Sequence, residues 1–227
     1  MIDFGLRERL IMQRRRFLLS ASALAVAGPA QADPLPVPPG GELAFKVLRN
    51  GTPIGEQRLN FTQIGDDLTV DIAADLLVTF AGLPIFTYHL AATERWSGGV
   101  FQSLDSMVND NGRVLEVHAH KTDAGYDVVG THMPLYTCPP NTMPLTYWNK
   151  AMLYGTILNI QTAHSYPAIL NSPGWNKLPT ADGDFIIAQR FDVTGKLHLS
   201  VWYDQFNQWA GLMFQVDGIE TYEKIVS

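Results

Sequence analysis

His118 and His120 stand two residues apart, with Glu116 two before them, in a stretch that reads as a β-strand. Alternate side chains on a strand share a face, so Glu116, His118 and His120 project one way and Leu115, Val117 and Ala119 the other. Two imidazoles and a carboxylate on one face resemble part of a zinc or copper site, since neutral imidazole suits both ions. The same residues are equally at home on a solvated strand face, and no second ligand cluster at a telling spacing accompanies them. No cofactor is therefore expected, and a metal-dependent hydrolase using His118 and His120 stands as an alternative function.

A second constellation is aromatic and amide in character. Tyr147, Trp148 and Asn149 are followed by Asn159, Gln161 and Thr162, and by Trp202 and Tyr203 on a late strand. Aromatic faces beside side-chain amides suit a neutral, partly apolar ligand, the amides fixing its orientation. Tyr147, Trp148, Asn149, Gln161, Trp202 and Tyr203 are accordingly the candidate ligand-binding residues. The competing reading is that the aromatics plug one end of a curved sheet while the amides satisfy loop backbone groups.

Other chemistries lack a motif. His89, His132, His164 and His198 are scattered without a neighbouring nucleophile pattern, and there is no Gly-x-Ser-x-Gly, His-Glu-x-x-His or phosphate-binding glycine loop. Asp71 and Asp75, four apart on one strand, would be about 13 Å apart, beyond the roughly 5 to 9.5 Å of a glycosidase pair. Catalytic residues stay unassigned.

The elements that must carry these residues are mostly strands. Leu68, Val70, Ile72, Ala74, Leu76, Val78 and Phe80 alternate with Thr69, Asp71, Asp75 and Thr79, a period of two that excludes a helix. Asn50-Gly51, Gly65 to Asp67, Gly98-Gly99, Asn109 to Gly112 and Asp123 to Gly125 supply reversals, so neighbouring strands pair antiparallel. From Met133 to about Leu178 six prolines, with Pro179 just beyond, break the pattern, which predicts a crossover with one short helix in Thr146 to Leu153, capped by Thr146 or Asn149. Strands then resume at Phe185. The fold class is all-β: a strongly curved antiparallel sheet, roll or incomplete barrel of about 10 to 12 strands.

The N-terminus carries a targeting signal. Arg14-Arg15-Arg16 precedes an apolar stretch from Phe17 to Ala27, and Ala30-Gln31-Ala32 has the small-residue pattern of a cleavage site. Residues 1 to 32 thus read as a twin-arginine signal peptide cleaved after Ala32, with ordinary Sec export as the alternative route. An apolar run this short cannot span a hydrocarbon core, which needs about 20 residues. Residues 33 to 41, rich in proline, form an extended lead-in outside the core, and residues 42 to 227 form one β-rich domain.

Charge and cysteine usage fit an exported protein. Of 16 basic and 22 acidic residues, five and two lie in the first 32, leaving 11 and 20 and a net charge near -9. Such a domain repels nucleic acid and anionic headgroups. Cys138 is the sole cysteine, so no internal disulfide can form in the periplasm. No transmembrane anchor is expected after cleavage, and the export machinery is the expected partner of the N-terminus.

Several stretches together resemble a family of exported bacterial proteins known as a domain of unknown function, number 6134. They are Leu48-Arg49-Asn50-Gly51 with Ile54-Gly55, Phe80-Ala81-Gly82-Leu83-Pro84, Ser103-Leu104-Asp105-Ser106 and Asn109-Asp110-Asn111-Gly112. Tyr147-Trp148-Asn149, Leu158-Asn159 with Gln161-Thr162, and Val201-Trp202-Tyr203-Asp204 ahead of Gly211-Leu212 continue the likeness. Where such proteins usually carry Gly after the Gln-Thr pair this chain has Ala163, and where they favour Pro after Trp-Asn it has Lys150. The resemblance implies an exported β-rich domain and names no reaction. The function expected is a non-catalytic periplasmic binding or carrier domain for a neutral or apolar small ligand. A structural envelope protein without a ligand is a third reading.

Overall fold

Alternating apolar residues and paired left-handed turn residues make this chain a run of hairpins. The computed structural model describes residues 34–215 and 218–226. The expected signal peptide, residues 1 to 32, lies outside the described residues. Eight strands lead off: β1 (Glu42–Arg49), β2 (Thr52–Ile64), β3 (Asp67–Phe80), β4 (Leu83–Ser97), β5 (Val100–Asp110), β6 (Arg113–Thr122), β7 (Gly125–Gly130) and β8 (Met133–Cys138). A crossover holds β9 (Thr142–Pro144), the 3₁₀ turn η1 (Lys150–Tyr154), β10 (Thr156–Leu158) and β11 (Ser165–Pro167). The chain returns through β12 (Ile169–Pro179), β13 (Phe185–Thr194), β14 (Leu199–Tyr203), β15 (Trp209–Gln215) and β16 (Ile219–Lys224).

Thirteen of these strands form one antiparallel sheet in the order β12-β13-β14-β15-β16-β1-β2-β3-β4-β5-β6-β7-β8, and β11-β10-β9 form a small separate one. The large sheet stays open, with β12 and β8 as its edges. Its turns follow local chemistry. Asn50-Gly51, Ala81-Gly82 and Asn111-Gly112 all have positive φ at both positions, the geometry whose twist matches paired strands. Among the described strands of the large sheet, only β16 against β1 joins strands distant in sequence.

Strand β3 shows how one face becomes core. Leu68, Val70, Ile72, Ala74 and Leu76 are buried, while Asp67, Asp71 and Asp75 on the other face are exposed. The expected apolar row ends there, since Val78 is half-buried and Phe80 is exposed at the hairpin tip. Residues from β1 to β7 and from β13 to β16 join the crossover in one contiguous core. The crossover meets strands far apart in the sheet, β4 through Trp148 and Glu94, β8 through Tyr136 and Ala163, and β14 through Tyr203 and Tyr147, so the sheet curls around it.

Three local expectations are corrected. Ile169 to Pro179 is an edge strand, because an edge tolerates proline: Pro173 falls in the register break between Asn171 and Gly174, and Pro179 is the last residue. The short helix is a 3₁₀ turn that begins at Lys150, with Asn149 as its cap. The lead-in is also tied down: Leu35 and Val37 pack against the core, and Gln208 Nε2 donates to the Pro36 carbonyl at 3.0 Å. Apolar side chains in a proline-rich segment find the core as readily as any others. Among the described residues no helix is long and apolar enough to cross a membrane.

Candidate functional site

The crossover is pinned to the sheet by polar anchors buried in apolar surroundings. Trp148 is fully buried and meets Phe61 and Trp96 edge to face, each with ring centroids 5.3 Å apart. Its Nε1 donates to Glu94 Oε2 at 2.9 Å, and Trp96 Nε1 donates to the same oxygen at 2.9 Å. Glu94 is itself fully buried, and its Oε1 has no hydrogen-bond partner among the described residues. Burial raises the Glu94 pKa, opposed by the Thr146 hydroxyl and the two indoles.

The remaining aromatics and amides divide between scaffold and cavity. Tyr203 is buried on the concave side and donates to the Tyr147 carbonyl at 2.7 Å. Trp202, its neighbour on β14, points through the opposite face into a small cluster with Ala188 and Ala210. Asn149 accepts from the Ala151 N–H at 3.0 Å, and Asn159 accepts from the Gln161 and Thr162 N–H groups at 2.9 and 3.1 Å. Of the six candidate ligand residues, Tyr147 and Gln161 alone line the cavity described next. Trp148, Asn149, Trp202 and Tyr203 are placed in packing or capping roles.

That cavity has a volume of about 370 Å³ and lies between the concave face and the crossover. Cross-strand register builds its floor. Tyr222 pairs with Val47, Val47 with Gly55, Gly55 with Leu76, Leu76 with Tyr88 and Tyr88 with Asp110, one row across six strands. Gly55 lets β2 approach β3: its φ is 152°, and a Cβ there would fall 1.9 Å from the Asp75 carbonyl oxygen. The next row adds Gln57 and Leu90, and Leu145 to Tyr147 with Asn159 to Gln161 form the roof. Ile72, Phe86 and Phe214 complete the apolar walls.

One end of the cavity is polar. Tyr88, Tyr147 and Tyr222 stand near Glu220, and burial raises the pKa of all three phenols, with their mutual proximity and Glu220 adding to it. Glu220 is also raised, by burial first, with Arg49 opposing from the paired position on β1. These phenols stay protonated at neutral pH and offer hydroxyl donors and acceptors. Sequence reasoning missed Tyr88, Tyr222 and Glu220, because each sits in an ordinary alternating strand and no local motif marks it.

The histidines lie on the convex face. His118 Nδ1 is 2.9 Å from Asp105 Oδ1, and His120 Nε2 is 3.9 Å from Asp127 Oδ2. Each ring thus pairs with an acid on a different neighbouring strand. Glu116 uses its backbone N–H and carbonyl to hold Thr131. Among the described residues no three His, Cys, Asp or Glu side chains are grouped to hold a metal ion.

Comparison with known proteins adds one match. No curated protein and no solved structure matches the chain. A family described as "Domain of unknown function (DUF6134)" matches residues 45–226, which is the whole sheet apart from the start of β1. The chain belongs to that family.

Proposed function

We propose that this protein is an exported, non-catalytic carrier or binding domain that holds a neutral or partly apolar small molecule in the cavity beneath the crossover. The observation that carries the reading is the cavity itself. It is about 370 Å³, within the range of small-molecule sites, with apolar walls and a few convergent polar groups at one end. Among the described residues its titratable lining is three tyrosines and two acids. The net charge near -9 after removal of residues 1 to 32 and the single cysteine are in keeping with a periplasmic setting.

Native mass spectrometry of protein purified from the periplasm tests this reading. A bound small molecule that leaves on collisional activation supports it. Protein without added mass, which also fails to take up neutral apolar probes, contradicts it.

A further inference from the structure

The charged lining of the cavity is of one sign, and its meaning rests on the carrier reading above. The charged side chains lining it are Asp110 and Glu220, and no Lys, Arg or His contributes among the described residues. Arg49 eases the charge of Glu220 from β1 but stands outside the lining. Tyr88, Tyr147, Tyr222 and Phe214 line the same cavity, with Phe214 and Tyr222 centroids 6.1 Å apart at 40°.

Two of the lining residues are largely buried and carry polar groups not engaged by the protein. Tyr222 is 7% exposed and Gln57 4%, and neither the hydroxyl nor the amide makes a hydrogen bond to a described residue. A hydroxyl and an amide that line the cavity without a protein partner can bond whatever occupies it. Tyr222 sits within the cluster that holds Glu220 and Tyr88.

We infer that the occupant is an amphiphile with an organic ammonium head. Its N–H groups donate to the Glu220 carboxylate and to the Tyr222 hydroxyl, two residues apart on one face of β16, and its charge lies against the neighbouring tyrosine rings. Its alkyl part lies along Leu76, Leu90 and Ile160, which line the same cavity. A carboxylate or phosphate head would instead face Glu220, with no cation in the cavity lining. A neutral alcohol keeps the hydrogen bonds and loses the charge assistance.

Calorimetric titration of the full-length protein with decylamine, decanol and decanoate at neutral pH tests the inference. The amine is expected to bind about tenfold more tightly than the alcohol, and the carboxylate more weakly than both. Glu220→Gln should lower amine affinity about tenfold and leave alcohol affinity within about twofold. Amine and alcohol binding equally, decanoate matching the amine, or an amine affinity indifferent to Glu220→Gln would overturn the charge assignment while leaving the carrier reading in place. Binding of none of the three would overturn both.

Discussion

Trp148 and Glu94 are 54 residues apart in the chain, yet Trp148 Nε1 lies 2.9 Å from Glu94 Oε2 in the core. This contact joins the roof of the cavity to its floor, because Thr146 and Tyr147 precede Trp148 and Leu90 shares β4 with Glu94. Removing the ring would empty the space against Phe61 and Trp96 and strip the carboxylate of a donor. Trp148→Ala should therefore cost about 3 to 5 kcal/mol, read as a fall in the denaturant midpoint. A loss below about 1 kcal/mol would contradict the core placement.

The buried carboxyl sets a pH dependence whose sign is fixed. Burial raises the Glu94 pKa, so the folded state binds the proton more tightly than the unfolded state. Its contribution to stability is greatest below the ordinary carboxylate value and falls as pH rises from there through the folded-state pKa. Glu220, raised by burial, acts in the same direction. Glu94→Gln keeps an acceptor for both indoles and removes the titration. Urea midpoints across pH 4 to 8 should fall less steeply in that variant than in the parent, and parallel slopes would contradict the account.

Close backbone approach holds the far end of the crossover. A Cβ on Gly130 would lie 2.6 Å from the Ala163 Cβ, and Ala163 itself has a φ of 60°. Gly130→Ala should cost about 1 to 3 kcal/mol. Much of that loss should disappear in an Ala163→Gly background, where the opposing methyl is absent. Equal losses in both backgrounds, measured as a double-mutant cycle, would show that the two residues do not meet.

Much of the sheet was legible because its determinants are local. Leu68 to Leu76 alternate as a half-buried strand must, and Asn50-Gly51 and Asn111-Gly112 specify their own turns. Asn149 as a cap was legible for the same reason. The site was less so, since Tyr88, Tyr222 and Glu220 meet only because β16 pairs with β1, a long-range choice that no local pattern encodes. Trp202 and Tyr203 were grouped by type, although adjacent strand residues face opposite ways. The prolines of β12 masked a strand because sequence does not show which strand will be an edge.

The export reading has its own test. Receptor-read targeting requires the arginine pair ahead of the apolar segment, so replacing Arg14 and Arg15 by lysine should strand the precursor in the cytoplasm. Cell fractionation decides the matter, and undiminished mature protein in the periplasm would assign the Sec route.

The carrier account is tested most directly by blocking the cavity. Leu76 is buried and lines it, so Leu76→Trp places an indole in the space a ligand would occupy. Fluorescence titration with a neutral apolar probe, run beside a denaturant midpoint on the same samples, separates binding from folding. The account predicts that the parent binds the probe and that Leu76→Trp loses binding while its stability, read from the midpoint, falls by no more than about 1 to 3 kcal/mol. A parent that binds no probe, or a folded Leu76→Trp protein that binds it as well as the parent, would contradict the account.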